Sequence, residues 1–342
     1  MTDVYIEVDC IILCCITLNE LLGELFTFIT VSKKPVICIG AALIDESFIC
    51  LTEPIPATSN PSNFYRSPGG VACNIAHHLA LLGHPVELIS HFGTDPEGKW
   101  LMEECRKSGI SITHSVVNHY DTGRYVAVLS PSGELFVGAM SGHFENEVTP
   151  DFLRTKTAVL KSATLLLLDC NLSIGSLEWL LDFSRSENIP CVIEPVSIPK
   201  AARLKNVNLN HVLLLTPNND EMLTLTGHAE GLDSSALIQE LLNRGVQYLW
   251  IRKGKSGSVI YSNEFHKEIP ALPVAVTDIT GAGDAAMAGW IDAWLARKNP
   301  EDCVRYGHAM ASIVLQVQGA IDKSLNRSLL RSEERRGGKE CA

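Results

Sequence analysis

The chain has 342 residues, 46% of them apolar, which suffices for one large α/β domain or one domain with a small appendage. Its 28 basic residues face 39 acidic ones, and the resulting net charge of −11 argues against a nucleic-acid or anionic-membrane surface. A small polyanionic ligand stays compatible, because a nest of backbone amides needs few lysines to hold one.

Residues 1–34 read as an N-terminal extension of unclear structure. The apolar run Cys10 to Leu18 is too short to span a bilayer, and Asp3, Glu7 and Asp9 precede it where a signal peptide carries positive charge. The 11 cysteines are scattered and include no Cys-x-x-Cys pair, which reads as reduced thiols in a cytoplasmic protein. No metal-ligand spacing stands out. His77 and His78 are adjacent in a helix, point to different faces, and read as solvated or packed histidines.

Regular structure starts at Pro35. Val36 to Gly40 is a continuous apolar strand of the kind buried on both faces, with Asp45 in the loop that follows. Short strands over Ser47–Leu51 and Asn63–Tyr65 predict a small sheet standing off the body. Ser67-Pro68-Gly69-Gly70 then opens a helix whose apolar face is Ile75, Leu79 and Leu82 and which Gly83 stops. The glycines allow close backbone approach to a ligand, and Asn74, one turn in, offers a donor and an acceptor that suit vicinal hydroxyls. A tight helix entry with a surface Asn is the competing reading. Val86–Ser90 is a second parallel strand and Asp95–Ser108 a helix, a βαβ rhythm that predicts a doubly wound, mostly parallel central sheet with helices on both faces. From His114 to Met140 the pattern turns to hairpin alternation, so lid strands are expected over about 46–66 and 113–140.

Strands return at Leu165–Leu168, Cys191–Ile193 and Val212–Leu215, with a helix over Ser176–Ser186. Their carboxyl ends carry Asp169, Asn171, Glu194, Asn218 and Glu221, and that edge is where such sheets bind ligands. Asn218 and Glu221, three apart at a helix start, suit either the waters of a Mg²⁺ ion or a plain capping box. After strand Tyr248–Ile251, the triplet Gly254-Lys255-Ser256 imitates a phosphate loop. Leu249 stands where that loop needs its first glycine, and a strand follows where a helix should.

Val274–Thr277 reads as a short buried strand running into Asp278-Ile279-Thr280-Gly281-Ala282-Gly283-Asp284, after which Met287, Ile291 and Leu295 recur at helical spacing. Amides of Gly281, Ala282 and Gly283 at a helix start form an anion hole. Asp284, a carboxylate on that first turn, is placed to take a hydroxyl proton during phosphoryl transfer. A plain glycine turn before an Ala-rich core helix is one competing reading, and Gly281, Gly283 and Ala286 also fit a loose dinucleotide fingerprint. That fingerprint needs a further strand ending in an acid, and here the chain continues helical through Trp294 and again over Glu301–Val317. Residues 325–342, of mixed charge with Gly337-Gly338, read as a disordered tail.

Taken together, Gly69-Gly70-x-x-x-Asn74-x-Ala76, Asn218-x-x-Glu221 and Asp278-x-Thr280-Gly281-Ala282-Gly283-Asp284, in that order, resemble the PfkB (ribokinase-like) family of carbohydrate and nucleoside kinases over about 35–324. The resemblance implies a ribokinase-like fold with a β-sheet lid, ATP and Mg²⁺ as cofactors, and often K⁺ as well. It implies Asp284 as base with Gly281, Ala282 and Gly283 as anion hole, and Asp45, Gly69, Gly70 and Asn74 on the sugar hydroxyls. Asn218 and Glu221 would organise Mg²⁺ and phosphates. Lys253, Gly254, Gly257 and Thr280 would border the nucleotide, and the Asp278 loop would hold a monovalent cation by its backbone. Homodimers joined through lid strands are also implied. Within the family, Leu168–Ser173, Pro195-Val196-Ser197 and Thr216-Pro217-Asn218 are most similar to kinases of pseudouridine, a C-nucleoside. Leu43 stands where ribokinase has Asn, and Glu194 where relatives commonly have Asp. Kinases of ribose, adenosine or inosine, and a non-catalytic sugar binder, are the other readings.

Overall fold

The computed structural model describes residues 34–228 and 234–340, so the expected N-terminal extension lies, but for Lys34, outside the described residues. The short apolar runs become strands: β1 (Val36–Ile39), β4 (Val86–Ile89), β10 (Leu165–Asp169), β11 (Cys191–Glu194) and β12 (Val212–Leu215) are buried along their whole length. With β6 (Ile110–Ser111), β13 (Tyr248–Arg252), β14 (Ser258–Tyr261) and β15 (His266–Ile269) they form a nine-stranded sheet of order β15-β14-β13-β12-β11-β10-β1-β4-β6. Pairing is parallel from β13 to β6 and antiparallel only at the β13-β14-β15 edge.

Alternation along each strand divides the core. Val36, Cys38, Leu165 and Leu167 enter one cluster, while Ile37, Ile39, Leu166 and Leu168 enter the other. Helices α1 (Val71–Leu81), α2 (Pro96–Lys107), α6 (Ala282–Leu295), α7 (Pro300–Val314) and α8 (Arg327–Glu340) serve the first face. The second is covered by α3 (Ile174–Ser186), α4 (Asn219–Thr226) and α5 (Ser234–Asn243). The doubly wound layering expected from the βαβ rhythm is present. Among the described residues no helix is long and apolar enough to cross a membrane, and the seven cysteines there are buried and free.

A separate sheet of order β3-β2-β8-β9 comprises β2 (Leu43–Cys50), β3 (Ser62–Gly69), β8 (Gly123–Leu129) and β9 (Leu135–Ser141). Its strands reach further toward the main sheet than the expected 46–66, because β2 leaves β1 after three residues and β3 runs directly into α1. The expected 113–140 hairpin is only partly one. β8 and β9 pair antiparallel, but β7 (Val116–Asn118) turns aside to pair parallel with β5 (His91–Gly93).

Two further expectations are corrected. Val274–Thr277 is irregular and Val276 is 57% exposed. The segment follows Pro270 and Pro273, which break a ladder, and Thr277 N donates to Leu315 O instead of to a strand (2.7 Å). Residues 327–340 are helical rather than disordered: Leu330 is buried, and Arg327 donates to Leu82 O (2.6 Å) and pairs with Asp292 (3.0 Å).

Helices α6 and α7 touch at glycine. A Cβ on Gly289 would come within 2.6 Å of both Met310 Cγ and Tyr306 O, so the close approach depends on a missing side chain. Gly289→Ala is expected to destabilise the fold by about 1–3 kcal/mol through overpacking, despite alanine's better helix propensity. A lowered urea midpoint at unchanged slope would show it; an unchanged or higher midpoint would contradict the packing described.

Candidate active site

Two glycine-led helix starts meet above the carboxyl ends of the parallel strands. At the first, Gly70 has φ 91° and a Cβ there would lie 2.4 Å from Ala41 O, while a Cβ on Gly69 would strike the Asp45 carboxylate at 2.3 Å. Only glycine lets β3 pass this close to the end of β1. At the second, Gly281 (φ 74°) is the N-cap of α6 and no side chain caps the helix, so the amides of its first turn lack intrahelical partners. The expected anion hole is thus a loop-to-helix turn, not the strand-to-helix turn that Val274–Thr277 suggested.

One turn into each helix sit Asn74 and Asp284, both buried, and Asn74 Nδ2 donates to Asp284 Oδ2 (2.8 Å). The Asn74 carbonyl oxygen Oδ1 is buried with no hydrogen-bond partner among the described residues, an acceptor suited to a substrate hydroxyl. Burial pushes the Asp284 carboxyl up to about 8; the Asn74 amide and Arg252 hold it down, whereas Glu194 and Asp169 push it further up. Burial likewise raises Asp45, to about 7.

Asp169 occupies a different place from the one expected. It is fully buried, and its oxygens accept from Ala41 N (3.0 Å), Ala72 N (3.0 Å) and Asn171 N (2.9 Å). It is a bracket joining the ends of β1 and β10 to the start of α1, beneath the site. Asn171 Oδ1 accepts from Lys200 Nζ, and its backbone carbonyl from Arg203 (3.0 Å). Between Glu194 and Lys200, Val196 has φ 75°, a left-handed conformation costly for a β-branched residue.

Asn218 and Glu221 form the capping box: Asn218 Oδ1 accepts from Glu221 N (2.9 Å) and Glu221 Oε2 from Asn218 N (2.9 Å). Glu221 Oε1 is the atom left to meet a hydrated cation. Burial raises the Glu221 carboxyl. Asp278 spends its carboxylate inside the loop, Oδ1 accepting from Thr280 N and Oγ1 and Oδ2 from Gly319 N and Gln318 Nε2 (2.7–2.9 Å). Burial pushes the carboxyl up, but those bonds outweigh it and hold Asp278 below the ordinary carboxylate range. Lys253, Gly254 and Gly257 make the tight turn between β13 and β14, with Lys253 Nζ 3.7 Å from Glu268.

Arg252 escaped the reading of the sequence. From the end of β13 it donates to Glu194 Oε1 (2.6 Å), Thr216 O (2.9 Å) and Gly283 O (3.1 Å), tying three strand ends to the start of α6. Its signal was available: it ends a parallel strand, the position used to nominate Asp169 and Glu194. Glu194, Glu221 and Asp284 all face this one guanidinium, an excess of negative charge that a divalent cation would offset, so the donor set fits Mg²⁺.

The chain has known relatives. Residues 33–327 match the pfkB family of carbohydrate kinases. The chain belongs to that family. This pfkB-family kinase is 31% identical to the pseudouridine kinase of Escherichia coli over 291 residues, covering 84% of this chain and 92% of that one. It is 26% identical to the ribokinase of Haemophilus influenzae, over 77% and 86% of the two chains. Its fold superposes on Arabidopsis thaliana ribokinase complexed with ribose and ATP, with a TM-score of 0.76 at 22% identity, covering 88% and 99% of the chains.

In the ligand-free kinase, Asp284 is expected to titrate at about 8 by carbon NMR of its labelled carboxyl. Asn74→Ala, which removes the bond that favours the charged form, should move that value higher. Titration of the wild-type carboxyl near the ordinary value of about 4 would show that the group is solvated rather than buried.

Proposed function

We propose that this pfkB-family phosphotransferase uses ATP to phosphorylate the 5′-hydroxyl of pseudouridine, giving pseudouridine 5′-phosphate. One observation carries the reading: Asp284, held by Asn74, stands at the uncapped start of α6, so a proton acceptor and an anion hole adjoin. The similarity to pseudouridine kinase supports the nucleoside, and the similarity to ribokinases keeps ribose as the second reading.

In this reading Asp45, Gly69, Gly70 and Asn74 bind the ribosyl hydroxyls, with Asn74 Oδ1 accepting from one of them. Asn171, whose backbone amide donates to Asp169 Oδ1 beneath the site, would contribute from that side. Asp284 accepts the proton of the attacking hydroxyl and holds its oxygen in line. The amides of Gly281, Ala282 and Gly283 stabilise charge as it spreads over the transferring group. Mg²⁺, when bound near Glu221 and Asn218, would neutralise charge on the phosphates. Thr280 and the Lys253, Gly254 and Gly257 turn flank the nucleotide, and carbonyls of the Asp278 loop would hold K⁺ where the kinase uses it. The β3-β2-β8-β9 sheet closes over the sugar and keeps out the water that would otherwise hydrolyse ATP.

A coupled assay with pseudouridine, uridine, ribose and adenosine tests both parts. The expected result is highest kcat/KM for pseudouridine, with Asp284→Asn lowering kcat by about 10²–10⁴ while ATP still binds. Because the base must be ionised, kcat/KM should rise with pH through about 8, the side of the titration on which Asp284 loses its proton. Near-normal turnover by Asp284→Asn would end the mechanism; a preference for ribose would move the substrate while leaving the mechanism standing.

Pairing of two copies through lid strands belongs to the same proposal. It is supported by β9, the edge of its sheet, where Leu135, Phe136, Val137 and Met140 are all exposed. Val137→Lys should convert a dimer to a monomer in light scattering; a wild-type chain of monomeric mass would dispose of the idea.

A further inference from the structure

The contact between α1 and α2 holds a group of donor atoms outside the site described above. Cys73 and His77 are four residues apart on α1, so they share a face, and Cys105 meets them from α2. One ligand atom from each lies within 4.8 Å of the others, with Cys105 Sγ 4.0 Å from His77 Nε2. All three side chains are buried. No metal-ligand spacing was expected from the sequence; the Cys73-x-x-x-His77 pair is such a spacing once Cys105 completes it.

The imidazole is already oriented. His77 Nδ1 lies 3.0 Å from Ser108 Oγ, just past the end of α2. With Nδ1–H donating to that hydroxyl, the lone pair of Nε2 is turned toward the thiols, the arrangement by which a neighbouring acceptor fixes a metal-binding histidine. Metal–sulfur bonds of about 2.3 Å and metal–nitrogen bonds of about 2.0–2.1 Å place three coplanar ligand atoms about 3.8–4.0 Å apart; the Cys105–His77 pair meets that spacing at 4.0 Å, and the other separations are no more than 4.8 Å.

We propose that Cys73, His77 and Cys105 bind a single thiophilic d¹⁰ cation, Zn²⁺ or Cu⁺, that clamps α1 to α2. Zn²⁺ would displace both thiol protons and leave a neutral centre. Cu⁺ reaches the same neutrality by displacing one proton and keeping the other thiol protonated.

The test uses the full chain, reduced, stripped with a chelator and dialysed against Zn²⁺ or, without oxygen, Cu⁺, with metal per chain measured after excess is removed. The wild type should retain about one ion per chain more than Cys105→Ala or His77→Gln, while Cys303→Ala matches the wild type. Whichever ion is retained identifies the cation. A Co²⁺-loaded sample should show a thiolate-to-cobalt charge-transfer band that Cys105→Ala lacks. If Cys105→Ala does not fold, X-ray absorption of the loaded wild type decides, by showing two sulfur neighbours and one nitrogen or by showing other ligands. Equal retention by wild type and variants, or no retention of either ion, overturns the proposal.

Discussion

The hydrogen bond between Asn74 and Asp284 is what makes one site out of two distant stretches of chain. Each residue alone sits one turn into a helix that starts at glycine. Joined, they fix α1 and α6 side by side over the sheet edge. The bond also settles an electrostatic difficulty. A carboxylate in this interior is disfavoured as an anion, and the carboxamide is a neutral group that lowers the penalty without cancelling the charge. A lysine in place of Asn74 would form an ion pair and remove the basicity that the proposed proton transfer requires.

Arg252 does the complementary work on the other flank. It satisfies Glu194 and holds the Gly283 carbonyl, so the start of α6 is anchored to the sheet while its amides stay uncapped. A helix start left without a side-chain cap is locally less stable. Here the cost is offset by anchorage through a carbonyl, which itself takes up none of the first-turn N–H groups. The local rule is broken at the site, and the surroundings hold the exception in place.

What the sequence disclosed followed from burial. Strands enclosed on both faces must be apolar throughout, so Leu165–Leu168 and Val212–Leu215 announced the parallel sheet, and the paired glycine motifs announced the two helix starts that Asn74 and Asp284 join. What stayed hidden depends on neighbours that local pattern does not encode. Val274–Val276 is as apolar as a strand, yet among the described residues no strand pairs with it. Residues 327–340 look like a charged tail until Leu330 finds the core and Arg327 finds Leu82 and Asp292. Asp169 was nominated by its strand-end position, and the position was right, but only the fold shows both oxygens turned down to backbone amides. Cys105 lies 28 residues from His77, too far for any spacing rule to join them.

The bracket at Asp169 sets where the molecule can bend. It grips Ala41 and Ala72 at once, and Ser90 Oγ accepts from the next amide, Ala42 N (2.9 Å). The chain entering the small sheet and the chain leaving it are therefore riveted to the same floor. Were that sheet to swing, β2 and β3 would have to bend beyond these rivets while β8 and β9 follow by their own connections, so the floor would keep its geometry.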